Sequence, residues 1–214
     1  MLILLPPSEK KKSATSDKNF DLDTLAFASE LTAPRKTLLT DLDTSKTSPA
    51  MEIYDGVLYQ GLGWHTLPTS AKKRANSRVL IVSALFGLVR PLDQIFGYKL
   101  KIDNQLWRES ISLVSANFVA DLIIDCRSST YKGVWQLNPD RTVEVRVFKV
   151  VNGQRSVITH MSKKYRGELT RNLLMQATEP TTPADVKRIA AELFDCELHP
   201  PVNGDPWALD LLIS

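Results

Sequence analysis

The residues of this chain best placed to do chemistry are cations gathered around glycines. The segment His160–Leu174 (HMSKKYRGELTRNLL) sets Lys163, Lys164, Arg166 and Arg171 about Gly167. At helical spacing Tyr165, Leu169 and Leu173 recur every fourth residue as an apolar stripe. Lys163, Gly167 and Arg171 recur at the same interval on another face. Such a helix docks by one side and presents cations on the other. Its first turn is an unfavourable place for positive charge, because the macrodipole is already positive there. A mid-helix glycine costs about 1 kcal/mol against alanine. Both features fit a surface that a phosphate or another backbone approaches closely, with Lys and Arg giving charge-assisted hydrogen bonds. The competing role is a solvated face in which Lys164 and Glu168 form an i,i+4 pair.

A second segment, Ser83–Asp93 (SALFGLVRPLD), carries Gly87, Arg90 and Pro91. A turn around Gly87 aims backbone amides at phosphate and makes Arg90 a backbone contact; equally, it is a tight turn with Arg90 bonded to a carboxylate such as Asp93. Lys10, Lys11 and Lys12 follow the first apolar run, where a strand end borders a ligand crevice, although a row of lysines is also what a solvated loop looks like. Lys72, Lys73 and Arg74 read as surface charge. His65, His160 and His199 are scattered, and neither Cys126 nor Cys196 lies at ligand spacing from a partner, so no metal and no cofactor is expected. Cys126 precedes Arg127, which would lower its thiol pKa; a small buried hydrophobe is the plainer role. No catalytic residue can be nominated.

These residues need elements to position them. Leu2–Leu5 is a buried strand stopped by Pro6-Pro7. Leu22–Leu42 has helical spacing broken at Pro34, which predicts two helices, one ending near Leu31 and one starting at Pro34. Thr44–Pro49 is a Ser/Thr/Pro-rich connector. Tyr54–Trp64, with Tyr54 and Gly56 at its start, is a short helix or turn with close backbone packing. Val79–Val82 and Leu122–Ile124 are buried strands, separated by an amphipathic helix over 106–119. Asn152-Gly153 between β-rich runs (142–151 and 156–159) marks a hairpin. Ser162–Gln176 and Pro183–Phe194 are helices, the first capped by Ser162 and the second by Thr182 with Pro183 in its first turn. Strands alternating with helices, plus one hairpin, predict an α/β domain spanning 1–214 with a mixed central β-sheet.

Bulk properties narrow the class. Net charge is +3, from 27 Lys and Arg against 24 Asp and Glu. A balance that small puts the weight on clustering rather than total charge. Two distant cysteines are not a secreted disulfide framework. No apolar run approaches a membrane span and no leader precedes the first strand, so a cytoplasmic monomer is expected.

Taken together, LILLPPSEK, YDGVLYQGL, SALFGLVRPLD followed by YKL at Tyr98, and SKKYRGELTR resemble, in order and spacing, the YaaA family of bacterial peroxide-stress proteins. The resemblance implies a compact mixed α/β fold with a helix-hairpin-helix-like element, a positively charged groove, binding of duplex or distorted DNA, and protection against hydrogen peroxide tied to control of free iron. It maps the basic helix to Lys163, Lys164, Arg166, Gly167 and Arg171, the Gly-Arg-Pro turn to Gly87, Arg90 and Pro91, and the aromatic-glycine element to Tyr54 and Gly56. Glu9 stands where the family's first motif often carries Lys, with Lys10 next.

Two functions follow. One is sequence-independent DNA binding in a cleft lined by Lys10, Arg90, Lys163, Lys164, Arg166 and Arg171. The other is an enzyme acting on a small phosphorylated or carboxylated substrate held by the same cations. A pocket too narrow for a duplex favours the second, an open groove the first.

Overall fold

A computed structural model of the chain describes residues 1–40, 42–117, 120–158 and 161–213. Val119, Thr159 and His160, assigned above to a helix end, a strand end and the start of the basic segment, lie outside the described residues.

Strand β1 (Leu2–Leu5) is four aliphatics, all buried, as a parallel strand covered on both faces requires. The chain then runs through α1 (Ala28–Leu38), β2 (Ser48–Pro49), α2 (Ala50–Ile53), α3 (Val57–Leu62) and α4 (Thr69–Arg78) before returning as β3 (Val79–Ser83) beside β1. A hairpin leads to β4 (Gly87–Val89), and β5 (Gln94–Ile95) pairs with β2. After α5 (Asn104–Asn117), β6 (Ile123–Asp125) joins the other side of β1. Then come α6 (Ser129–Lys132), β7 (Thr142–Val151), β8 (Gln154–Val157), α7 (Ser162–Met175), α8 (Pro183–Ala190), β9 (Asp195–His199) and β10 (Trp207–Ile213). The main sheet has eight strands in the order β4-β3-β1-β6-β7-β10-β9, with β8 on β7. β1, β3, β6, β7 and β10 are parallel; β4, β8 and β9 run against their neighbours. The sheet is mixed, as expected.

The pleat sends alternate residues into two cores. Leu2, Leu4, Leu80 and Val82 pack with Leu31 of α1 and with Trp107, Ile111 and Val114 of α5. Ile3, Leu5, Val79 and Ile81 face the layer that contains Leu58 and Leu62 of α3 and Leu169 and Leu173 of α7. The β7–β8 turn places Asn152 and Gly153 at positive φ (50° and 77°), the conformation that an Asn-Gly hairpin demands. Thr182 caps α8 in a reciprocal capping box with Asp185.

Two expectations need correction. Pro34 does not divide two helices: α1 runs through it. Proline forfeits one backbone bond, but the next residue anchors the helix. The buried Arg35 donates to the carbonyls of Phe86 (2.9 Å), Ala26 (2.8 Å) and Leu88 (2.9 Å). Second, Ser83–Val89 forms a β-hairpin, buried at every position. It therefore does not supply the expected helix-hairpin-helix-like element. The 44–49 connector, within the single expected domain, is tied down. Thr47 and Ser48 are buried, Thr47 bridges Ser16, and Ser48 pairs with Ile95.

Candidate functional site

The chain visits β3 on one side of β1 before crossing to β6 on the other. The loops leaving the carboxyl ends of β1 and β6 therefore diverge and leave a crevice, the usual ligand position in an open α/β sheet. Pro6, Pro7 and Ser8 leave β1 at this point, Cys126 and Arg127 leave β6, and Lys163 comes from the first turn of α7.

The basic loop after β1 is zipped onto the chain between α2 and α3. The Ser8 hydroxyl donates to the Lys10 carbonyl and accepts from the Asp55 N–H at 3.1 Å. Asp55 N–H donates also to the Lys10 carbonyl (3.1 Å), and Lys12 N–H donates to Ile53 (2.8 Å). Gly56 is required here, because a Cβ would lie 2.8 Å from that of Ser8. Lys10 Nζ sits 2.7 Å from the Asp55 carboxylate. Its hydrogen bond to that group holds the Asp55 pKa below the ordinary carboxylate value.

Beneath the loop lies a floor of phenols. Tyr59 donates to the Pro6 carbonyl (2.8 Å) and stacks on Tyr54 at 5.3 Å between centroids. Tyr54, Tyr98 and Ser83 join hydroxyl to hydroxyl, at 3.2 and 2.7 Å. Burial raises the pKa of all three tyrosines, so they remain neutral hydroxyls at ordinary pH.

Lys163 lines two adjoining spaces. One, of about 270 Å³, is bounded by Pro6, Ser8, Lys10, Gly56 and Tyr59. The other, of about 530 Å³, is bounded by Arg127, Ser128, Lys132 and Arg166. Glu9 and Lys10 connect the first space to a third, of about 660 Å³, walled by Lys11, Lys12, Lys46, Tyr98 and Lys99. Each space shares lining residues with the next, so the three lie side by side around the loop after β1 and are together called the trough.

The expected site residues divide into those the fold brings together and those it does not. Lys10, Lys163 and Gly56 line the trough, Arg166 borders it, and Tyr54 is buried beneath the loop. Arg166 is engaged internally: Nε donates to Val145 (3.1 Å) and Nη1 to Arg127 (3.4 Å), both carbonyls. Lys164 is exposed and pairs with Glu168 at 3.5 Å. Gly167 faces no ligand: a Cβ there would lie 2.0 Å from the Leu58 carbonyl oxygen, and one on Gly61 would lie 2.4 Å from that of Lys164. The helix face read as cationic thus docks on α3, backbone to backbone. Arg171 closes the end of α3, donating to the carbonyls of Leu62 (3.1 Å), Gly63 (3.0 Å) and Thr66 (3.3 Å).

Gly87 and Arg90 are not part of this crevice. Gly87 has φ +70° and lies under Trp107, whose ring would meet a Cβ at 2.6 Å. Val89 pairs with Ile81, which places Arg90 at the amino end of β3, opposite to Lys163. There Nη1 donates to Asn76 (2.8 Å) and Ser77 (3.2 Å), while the Arg90 N–H donates to Asp93. Pro91 is buried and its carbonyl accepts from Met51.

Cys126 is not activated by its neighbour. The Arg127 guanidinium is held in a two-pronged bond by Asp125 (2.9 and 3.0 Å), and burial pushes the thiol up to about 12. Glu197, His199 and Asp210 bring possible metal-ligand atoms within 4.8 Å of one another. Arg155 already bonds both Glu197 oxygens and Arg146 both Asp210 oxygens. Among the described residues no helix is long and apolar enough to cross a membrane.

Sequence reasoning gave no site role to Tyr59, Tyr98 and Lys99 and did not separate Lys11 from Lys10 and Lys12. The two flanking motifs, PPSEKKK and GYKL, carried the signal, since each places cations beside a strand end or an aromatic.

Residues 28–198 match the family model described as peroxide stress protein YaaA. A UPF0246 protein of Streptomyces coelicolor is 30% identical, with 100% of this chain and 98% of that protein aligned. One from Corynebacterium glutamicum is 36% identical, covering 89% of this chain and 91% of its own. One from Corynebacterium efficiens is 35% identical over the same shares.

Proposed function

The chain belongs to the YaaA family of peroxide stress proteins, and on that footing we propose that it binds the phosphate backbone of duplex or distorted DNA along the trough at the carboxyl ends of its parallel strands. The observation that carries this reading is the set of lysines lining the adjoining spaces: Lys46, Lys99, Lys12, Lys10 and Lys163, of which Lys46 and Lys10 also face Asp17 and Asp55. Lysines spaced along a trough neutralise successive phosphates and release counterions without reading bases. Covering DNA in this way would limit damage from peroxide and free iron, the role that the family resemblance implies.

The set of contacts differs from the one the sequence suggested. Arg90 and Arg171 are committed to backbone carbonyls and Lys10 to Asp55, so Lys12, Lys99 and Lys163 take the leading part. A titration of duplex, bulged and single-stranded DNA at two salt concentrations tests the reading. Affinity should fall steeply with salt, and Lys163→Ala should reduce the logarithmic slope by about one. A salt-insensitive complex, or no complex, removes it.

A second reading rests on the space of about 270 Å³ around Ser8, Lys10 and Lys163, too small for a duplex and suited to a small anion. Inorganic phosphate that stabilises the chain against heat, with Lys163→Ala abolishing the shift, would favour it.

A further inference from the structure

Lys11 stands apart from the lysines around it. Lys10 has a carboxylate at 2.7 Å and Lys12 is exposed. Lys11 is half-buried, its Nζ donating to the Ser8 carbonyl at 2.8 Å and lying 4.2 Å from the centre of the Tyr98 ring. The Tyr54 ring is 5.9 Å away. Among the described residues its Nζ has no carboxylate within ion-pair distance; Glu9 acts on it from farther off. The aromatic faces and the carbonyl orient the amine without neutralising it. Burial, the dominant influence, lowers its pKa from that of a free lysine, which enlarges the neutral, nucleophilic fraction. The amine opens onto the largest space of the trough, about 660 Å³, where Lys12, Lys46 and Lys99 supply positive charge and Tyr98 a flat wall. A nucleophilic amine beside Lys12, Lys46 and Lys99 suits a carbonyl substrate that carries negative charge.

We propose that Lys11 forms an imine with the aldehyde of a phosphate-bearing sugar seated in this depression. The neutral Nζ adds to the carbonyl carbon, making the C–N bond as the carbonyl π electrons move to oxygen, which takes a proton. The resulting carbinolamine loses its hydroxyl and the remaining N–H proton as water while the C=N bond forms. Amine and aldehyde give imine and water, with no change of oxidation state. The same chemistry is offered by a free aldose phosphate and by an abasic deoxyribose within a DNA strand; the second source rests on the nucleic-acid reading above.

Trapping with sodium cyanoborohydride tests this on the full chain. Two arms are run, one with ribose 5-phosphate and one with a duplex carrying a single abasic site, and the adduct is located by peptide mass spectrometry. Attachment at Lys11 in preference to Lys10, Lys12, Lys46 and Lys99 is expected. Lys11→Arg should lose the adduct while melting at an unchanged temperature, and Lys73→Arg, on the exposed face of α4, should keep it. The trapping rate should reach half its maximum at a lower pH than for free lysine. Adducts spread over the lysines according to exposure, or full trapping by Lys11→Arg, overturn the proposal. Binding of the abasic duplex without trapping in either arm also overturns it and leaves the nucleic-acid reading standing. Trapping of ribose 5-phosphate by a chain that binds no duplex does the reverse.

Discussion

The two ends of the parallel strands use their cations in opposite ways. At the amino end, arginines are fasteners. Arg74 caps α7 through the Leu174 carbonyl at 2.8 Å, Arg78 meets Glu179 at 2.6 Å, and Arg90 caps α4 through Asn76 and Ser77. A guanidinium offers several donors in a fixed plane, which suits it to helix ends with several orphan carbonyls. At the carboxyl end, lysines border an open trough, and Lys12, Lys99 and Lys163 lack carboxylate ion-pair partners among the described residues. Positive charge on this protein is therefore no guide to function unless its partners are known. The amino end uses its arginines to close the fold, whereas the carboxyl end, beside engaged groups such as Arg127 and Arg166, also leaves lysines available.

Substitutions can break or sharpen that contrast. The largest effect belongs to the helix crossing that joins the two ends. Gly167→Val drives side-chain atoms into the Leu58 carbonyl and should lower unfolding free energy by about 3 kcal/mol, read by urea titration. Next, Arg90→Ala leaves carbonyls of α4 without donors and should cost about 1–3 kcal/mol, with the salt slope of DNA binding unchanged. A fall in that slope would erase the distinction between the ends. Lys163→Ala should behave in the opposite sense, losing about one unit of slope while shifting stability by no more than about 0.5 kcal/mol. The smallest change is expected for Lys164→Ala, whose exposed pair with Glu168 contributes about 0.3–0.5 kcal/mol. A slope change equal to that of Lys163 would extend the binding surface onto the outer face of α7.

The elements that were legible in sequence carry their signal locally. Leu2–Leu5 and Val79–Val82 are aliphatic runs, Asn152-Gly153 needs positive φ, and Thr182-Pro183 is a helix start. What could not be read depends on distant partners. Pro34 is tolerated because Arg35 finds three carbonyls, two of them more than fifty residues away in sequence. β9 and β10 passed unnoticed, and β10 is specified largely by its parallel pairing with β7. For the site, Lys10, Lys163 and Gly56, named from separate motifs, line one space, with Tyr54 buried nearby. Arg90 and Arg171 misled because a cation beside a glycine looks alike whether it meets a phosphate or a helix end. Lys11 was hidden between two identical neighbours; only the tyrosines brought by the fold distinguish it.

The paired glycines of α3 and α7 also fix a length. With backbones in contact at Gly61 and Gly167 and the far end gripped by Arg74, α7 can neither slide a turn nor rotate. Its fourteen residues span about 21 Å at 1.5 Å each, so it serves as a gauge rod from one rim of the sheet to the other. The backbone of Lys163 at the near tip therefore has a set address, and only its side chain can follow a visitor.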